Sequence, residues 1–161
     1  MFYREILNIE TEKGISLEEI TEQIDNVVKK SGFHEGICHV FLTSTTSGLM
    51  INENDAMLLG DFKRFFEELI DENKLYNHAS NAFSHLRASL LKTDLKFPIA
   101  NSSLVLGEWQ SIFLWEFDNK PRTRSIIVTV MPSTPPEIKQ VEEEVRRELQ
   151  GDDEDLGDLP L

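Results

Sequence analysis

The chain has 161 residues, 40% of them hydrophobic. That is enough to bury one core without disulfide or metal staples, and too short for two comfortable domains. It carries 29 Asp and Glu against 16 Lys and Arg, a formal net charge of −13, so its field repels a phosphate backbone or an anionic bilayer, and neither nucleic acid nor membrane is an expected partner. Residues 137–161 hold ten acids against Lys139, Arg146 and Arg147, a net of −7, which leaves −6 on the first 136 residues. A single cysteine, Cys38, excludes an internal disulfide and fits a reducing compartment. With no basic-then-apolar leader and no apolar run near the roughly 20 residues a bilayer span needs, a soluble cytoplasmic protein is expected.

In chain order, Phe2–Thr11 mixes branched and aromatic residues with charges at alternate positions and closes on Lys13-Gly14, a strand into a turn. Ser16 with Glu19 three residues on resembles a capping box, and Leu17, Ile20, Ile24, Val27 and Val28 follow at helical spacing, predicting a helix over 16–30 stopped by Ser31-Gly32. Gly36–Thr43 reads as a buried strand, and a hydroxyl cluster at 44–47 separates it from a short strand at 49–52. Glu53-Asn54-Asp55 can cap a second helix with an apolar stripe of Met57, Leu58, Phe62, Phe65, Phe66, Leu69 and Ile70. A short third helix fits 81–91.

From Leu95 the pattern turns to strands, at 95–99, 103–106, 110–117 and 124–130. The turn-rich link Asp118–Arg122 predicts that the last two form an antiparallel hairpin. Helices early and strands late favour α+β over a regular alternation. Prolines at 132, 135 and 136 mark a boundary. Domain one is therefore 1–132, and 133–161 is an acidic extension, with a helix expected over 136–150 (stripe Ile138, Val141, Val145, Leu149) and a disordered tail over 151–161.

No phosphate loop, dinucleotide fingerprint, serine elbow, HExxH or CxxC occurs. A looser constellation stands in their place. His78 and His85 are an acid/base or ligand pair, or ordinary surface histidines. The run Ser44, Thr45, Thr46 can cradle an oxyanion, or be a polar turn. Arg122 and Arg124, two apart on an extended segment, face one side and can grip a phosphate or carboxylate, or pair with Glu116 or Asp118. Trp109, Gln110 and Trp115 read as packing residues, Cys38 as inert core, and His34 and His39 as locally satisfied.

Taken in order, these segments resemble the YjbQ or UPF0047 family, often labelled secondary thiamine-phosphate synthases. Ser44–Gly48 corresponds to its HTTA-type loop and Ile51–Asp55 to its INEN segment. Tyr76-Asn77-His78 corresponds to YxH, Asn81–His85 to NxxAH, Leu106–Gln110 to LGxWQ, and 116–124 to EFDGPRxR, so the resemblance covers about residues 1–132. It implies an α+β fold of mixed or antiparallel sheets packed as a sandwich with two main helices, assembled as a homotrimer. It also implies an activity that joins a pyrimidine diphosphate to a thiazole phosphate. On that reading His78, His85, Glu53, Arg122 and Arg124 are catalytic, and Ser44, Thr45, Thr46, Asn52, Asn81, Trp109 and Gln110 bind substrate. A divalent metal, zinc or magnesium, is the implied cofactor, with His78 and His85 as ligands. Ser44 stands where the HTTA histidine belongs, and a hydroxyl is a poor zinc ligand beside imidazole, so weak or no zinc binding is expected. The alternative is a non-catalytic ligand-binding or assembly protein on the same scaffold, since kinship of fold does not transfer activity when site residues change.

Overall fold

Two antiparallel sheets and three helices make up residues 1–133, the part of the chain that the computed structural model describes. The helix expected over 136–150 and the tail of 151–161 lie outside the described residues. The order is β1 (Tyr3–Thr11), β2 (Ser16–Glu19), α1 (Thr21–Ser31), β3 (Gly36–Leu42), β4 (Ser47–Asn52), α2 (Ala56–Leu69), α3 (Ala82–Ala88), β5 (Asp94–Ala100), β6 (Ser103–Leu104), β7 (Ser111–Glu116) and β8 (Arg122–Pro132). The larger sheet runs β1-β8-β3-β5-β6 and the smaller β2-β7-β4, with every pair antiparallel. This is the expected α+β sandwich.

Strand β7 sits at the centre of the small sheet and is buried on both faces, which explains why its sequence is a nearly unbroken apolar run. Its residues divide by the period-2 pleat. Ile112 and Leu114 join Val40, Leu42, Ile126 and Val128 of the large sheet, together with Ile24, Val27 and Val28 of α1, in one core. Phe113, Trp115 and the following Phe117 join Phe66 of α2 and Ala88 of α3 in a second core. There Phe66 meets Trp115 and Phe117 edge-on at ring separations of 5.3 and 5.0 Å, the favoured geometry for aromatic pairs. The layers are thus large sheet, small sheet with α1, then α2 and α3.

Three local expectations are corrected. Helix α1 begins at Thr21, not Ser16. Ser16–Glu19 instead pairs with β7, Ser16 opposite Glu116 and Glu19 opposite Phe113, because β7 needs a partner on that edge. The capping box does not form: Ser16 Oγ donates to the Glu12 carbonyl and the Glu19 carboxylate accepts from the Thr21 amide. At the other end Gly32, at φ 72°, closes α1 in the left-handed conformation. Second, β7 and β8 form no hairpin; they belong to different sheets, and the link after Glu116 crosses between layers. Third, the apolar stripe of α2 is only partly used. Asp55 caps the helix through the Leu58 amide at 2.8 Å, and Leu59, Phe62 and Phe66 pack inward, while Met57, Phe65 and Leu69 stay exposed.

Candidate functional site

At the end of the small sheet where β4 starts and β7 finishes, Ser47 lies opposite Glu116, and two openings flank this point. One, of about 450 Å³, is lined by Phe41 and Leu42, the hydroxyl run Thr43–Thr46, Thr93 and Arg124. The other, of about 430 Å³, is formed by Tyr76, Asn77, His78, Ala82, His85 and Leu86. Tyr76, Asn77 and His78 come from the loop between α2 and α3, and the other three from α3 itself.

A continuous polar network joins the two. Glu116 has a side chain with 0% exposure, so its charge must be fully paired. Arg124 grips it bidentately, Nε donating at 2.5 Å and Nη2 at 2.6 Å. Thr11 Oγ1 donates at 2.8 Å, and the amides of Phe117 and Asp118 donate at 2.9 and 2.8 Å. Arg124 Nη2 also donates to Thr46 Oγ1 at 2.7 Å, which ties the hydroxyl loop to the pair. Two residues on, buried Asp118 accepts from Arg122 Nε at 2.8 Å and from the Asn119 amide. Burial pushes the Asp118 carboxyl up, but these hydrogen bonds and the Arg122 charge outweigh it and hold the group below the ordinary carboxylate value. Asn81 completes the chain. It occupies the N-cap position of α3 without capping it; its Nδ2 reaches Asp118 at 3.5 Å and its Oδ1 lies 3.0 Å from His78 Nε2. The His78 and His85 rings stand edge to face at 5.4 Å.

The structure therefore gathers His78, His85, Asn81, Arg122, Arg124 and Thr46, with Ser44 and Thr45, around one end of the small sheet. It places Asn52, Glu53, Trp109 and Gln110 at the other. Asn52 pairs with Ser111, five residues along from the Ser47–Glu116 pair, or about 16 Å at the usual rise per strand residue. Trp109 is 67% exposed, so it is not a packing residue, whereas Trp115 is fully buried. His39 lies 3.2 Å from Asp94 and His34 lies 3.0 Å from Ser102 Oγ, each satisfied locally. Sequence reasoning treated Glu116 and Asp118 only as partners for the arginines. The signal was present: two acids spaced like the two arginines, at the end of an otherwise apolar buried strand. Ser84, whose hydroxyl donates to the Phe117 carbonyl at 2.7 Å and so pins α3 to this end of the sheet, was missed.

A family model described as UPF0047 protein YjbQ-like matches residues 5–133. The chain belongs to the UPF0047 YjbQ-like family. A UPF0047 protein of Methanothermobacter thermautotrophicus is 40% identical over 131 residues, 80% of this chain and 91% of that one. The YjbQ protein of Escherichia coli is 30% identical, covering 81% of this chain and 98% of its own. Among solved structures, a YbjQ-like protein of unknown function from Sulfolobus solfataricus superposes with TM-score 0.74 at 30% identity, over 83% of this chain and all of the other. A YjbQ/UPF0047 family protein from Clostridium acetobutylicum gives 0.75 at 30%, over 79% and 99%.

Within this UPF0047 chain the donor set for a metal is short. His78 and His85 supply two imidazoles, and among the described residues no three His, Cys, Asp or Glu side chains gather where they could hold an ion. Ser44, at the HTTA histidine position, uses its Oγ to accept from the Thr46 amide at 3.2 Å. Among the described residues the chain thus lacks the three protein ligands typical of zinc sites.

Proposed function

We propose that this UPF0047 protein binds a small phosphorylated ligand between the two openings and acts as a divergent thiamine-phosphate synthase-type enzyme, working as a cytoplasmic homotrimer. The observation that supports the reading is the unbroken hydrogen-bonded path from Thr46 through Arg124, Glu116, Asp118 and Asn81 to His78. Such a path fixes groups from separate elements in one geometry before any ligand arrives, and preorganisation of this kind is where catalytic binding energy is most effective.

In the proposed reaction the thiazole nitrogen lone pair forms a bond to the pyrimidine methylene carbon, and the carbon–oxygen bond to pyrophosphate breaks, its electron pair leaving with the pyrophosphate. Arg122, whose side chain is 44% exposed, faces the departing anion with its free edge. On this reading His78 or His85 protonates it. The hydroxyls of Thr45 and Thr46 orient a phosphate. Purified protein incubated with a hydroxymethylpyrimidine diphosphate and a thiazole phosphate, with and without Mg²⁺, is expected to release thiamine phosphate, and His78→Ala to slow it by roughly 10²–10⁴-fold. Absence of product under both conditions rejects the reading.

One observation favours a second reading. Arg122 and Arg124 are already neutralised by Asp118 and Glu116, which weakens their pull on an incoming anion. It favours a non-catalytic ligand-binding or assembly protein on the same scaffold, which would show no turnover and little or no pyrophosphate binding by calorimetry.

A further inference from the structure

We propose that the cleft where the end of α2, α3 and the turn from β1 to β2 meet binds a small zwitterion of the α-amino acid class. Its carboxylate seats on Arg87, and its ammonium group faces Glu67 and Glu72. The cleft holds about 390 Å³, and its lining includes Gly14, Ile15, Glu67, Asp71, Glu72 and Arg87. None of these residues lines either opening of the candidate site, so the inference stands apart from the proposed function.

Arg87 is the reason to expect an occupant. Its side chain is 2% exposed, yet only Nη2 makes a hydrogen bond, donating to the Ile70 carbonyl at 2.7 Å. Nε and Nη1 are buried with no hydrogen-bond partner among the described residues. Glu72 Oε2 lies 3.9 Å from Nη1, beyond hydrogen-bond reach. Unmet donors on a buried cation cost more than those on a neutral group, and a guanidinium cannot escape the cost by giving up its proton. The helix separates this residue from the histidine opening. Ala82, His85 and Leu86, at i, i+3 and i+4, line that opening. Arg87 instead follows Phe83 by four residues, and its guanidinium lies 5.3 Å from the centre of that ring. The ring and the Ile70 carbonyl hold the guanidinium in place, with its unmet N–H groups beside the cleft.

The acids of the cleft decide the ligand's class. One guanidinium stands among three carboxylates, a formal sum of −2, so a phosphate or other polyanion is repelled. A bare cation would meet the unpaired guanidinium. A molecule carrying both charges satisfies both partners, and carboxylate on guanidinium is among the strongest of hydrogen-bonded pairings. Asp71 is already engaged: the Asn73 amide and side chain both donate to its Oδ1 and hold its carboxyl below the ordinary value. Exposed Glu67 and Glu72 are left to take the ammonium group. The 3.9 Å between Nη1 and Glu72 Oε2 asks that the ligand's two charges sit on neighbouring atoms, as in an α-amino acid. Ile15 is the one apolar side chain in the lining, so the ligand's own side chain is small or polar.

Calorimetric titration of the full chain with glycine, acetate and methylammonium tests this. Glycine is expected to bind with a Kd of about 1 mM, in keeping with so few atoms, and each singly charged probe at least about 10-fold more weakly. Glu67→Gln combined with Glu72→Gln, both at exposed positions, is expected to weaken glycine by about 10-fold and to strengthen acetate, because the guanidinium stays while the repelling charges go. Arg87→Lys keeps the charge but loses the Nε–H, and is expected to weaken glycine by a similar factor. Emission from buried Trp115 reports whether that variant folds; if it does not, the double glutamine variant decides alone. No glycine binding, acetate binding as tight as glycine, or an unchanged glycine affinity in the double variant would each overturn the proposal.

Discussion

Asp118 is caught between opposing effects. Burial disfavours its charge, while Arg122, the Asn119 amide and Asn81 favour it, and the balance leaves the carboxyl below its ordinary value. A carboxyl depressed in the folded state stabilises the fold above the unfolded value, near pH 4, and that contribution is lost as pH falls through the folded value. Melting temperatures measured from pH 7 down to pH 2 are therefore expected to fall more steeply for wild type than for Asp118→Asn in the acid range, and the gap between the two should narrow there. Equal slopes would show that the Arg122 pairing contributes nothing. Residue identities were partly legible in the sequence: Cys38 read as inert core, and it is fully buried with burial pushing its thiol up to about 12. That Arg122 and Arg124 pair with Glu116 or Asp118 was one of the readings the sequence left open, and they do so. Which carboxylate each guanidinium meets was not legible, because that depends on how two sheets dock.

At the scale of elements, the close approach of α3's end to β4 depends on Gly48. A Cβ there would stand 2.5 Å from the Leu91 Cβ and 3.0 Å from its Cδ1, inside a buried seam where Leu49 also bridges Lys92. Gly48→Ala is expected to cost about 1–3 kcal/mol by urea unfolding, the usual penalty of overpacking, and Leu91→Gly in the same chain, which removes the Cβ that the new methyl meets, should recover part of it. An unchanged midpoint would mean the seam is loose. Most elements could be read from period and punctuation, Asp55 capping α2 and Gly32 ending α1 among them. The two failures share one cause. Ser16–Glu19 has a helical start signal, and Asp118–Arg122 has a hairpin link's composition, yet both segments answer to β7, which recruits β2 and β4 as neighbours and leaves β8 to the other sheet. Tertiary pairing overrides local preference at such places.

For the whole molecule, the family match stops at residue 133, while the chain continues for a segment with a net charge of −7 among residues 137–161. The described residues, which end at Ser133, already form two hydrophobic cores among themselves. Truncation after Ser133 is therefore expected to leave the cooperative melting transition and the assembled mass per chain unchanged, read by circular dichroism and light scattering. A collapsed transition would give the acidic segment a structural part. The same division shows why bulk charge was a poor guide to the site: at the Arg122, Arg124, Glu116 and Asp118 cluster the formal charges cancel.

The crossing from β7 to β8 has a kinetic side as well. Glu116 closes the small sheet, and Arg124 belongs to a strand of the large one, so their pairing forms only when the two sheets have met. Until then each half carries a bare charge that favours solvent, and the contacts that relieve it join distant parts of the chain, such as Thr11 with Glu116. Long-range closure of this kind is slow to form. The site is thus an end-point of folding: a chain that has made only one of its sheets has no assembled cluster, and binding competence should appear with the last, rate-determining phase of refolding rather than with early secondary structure.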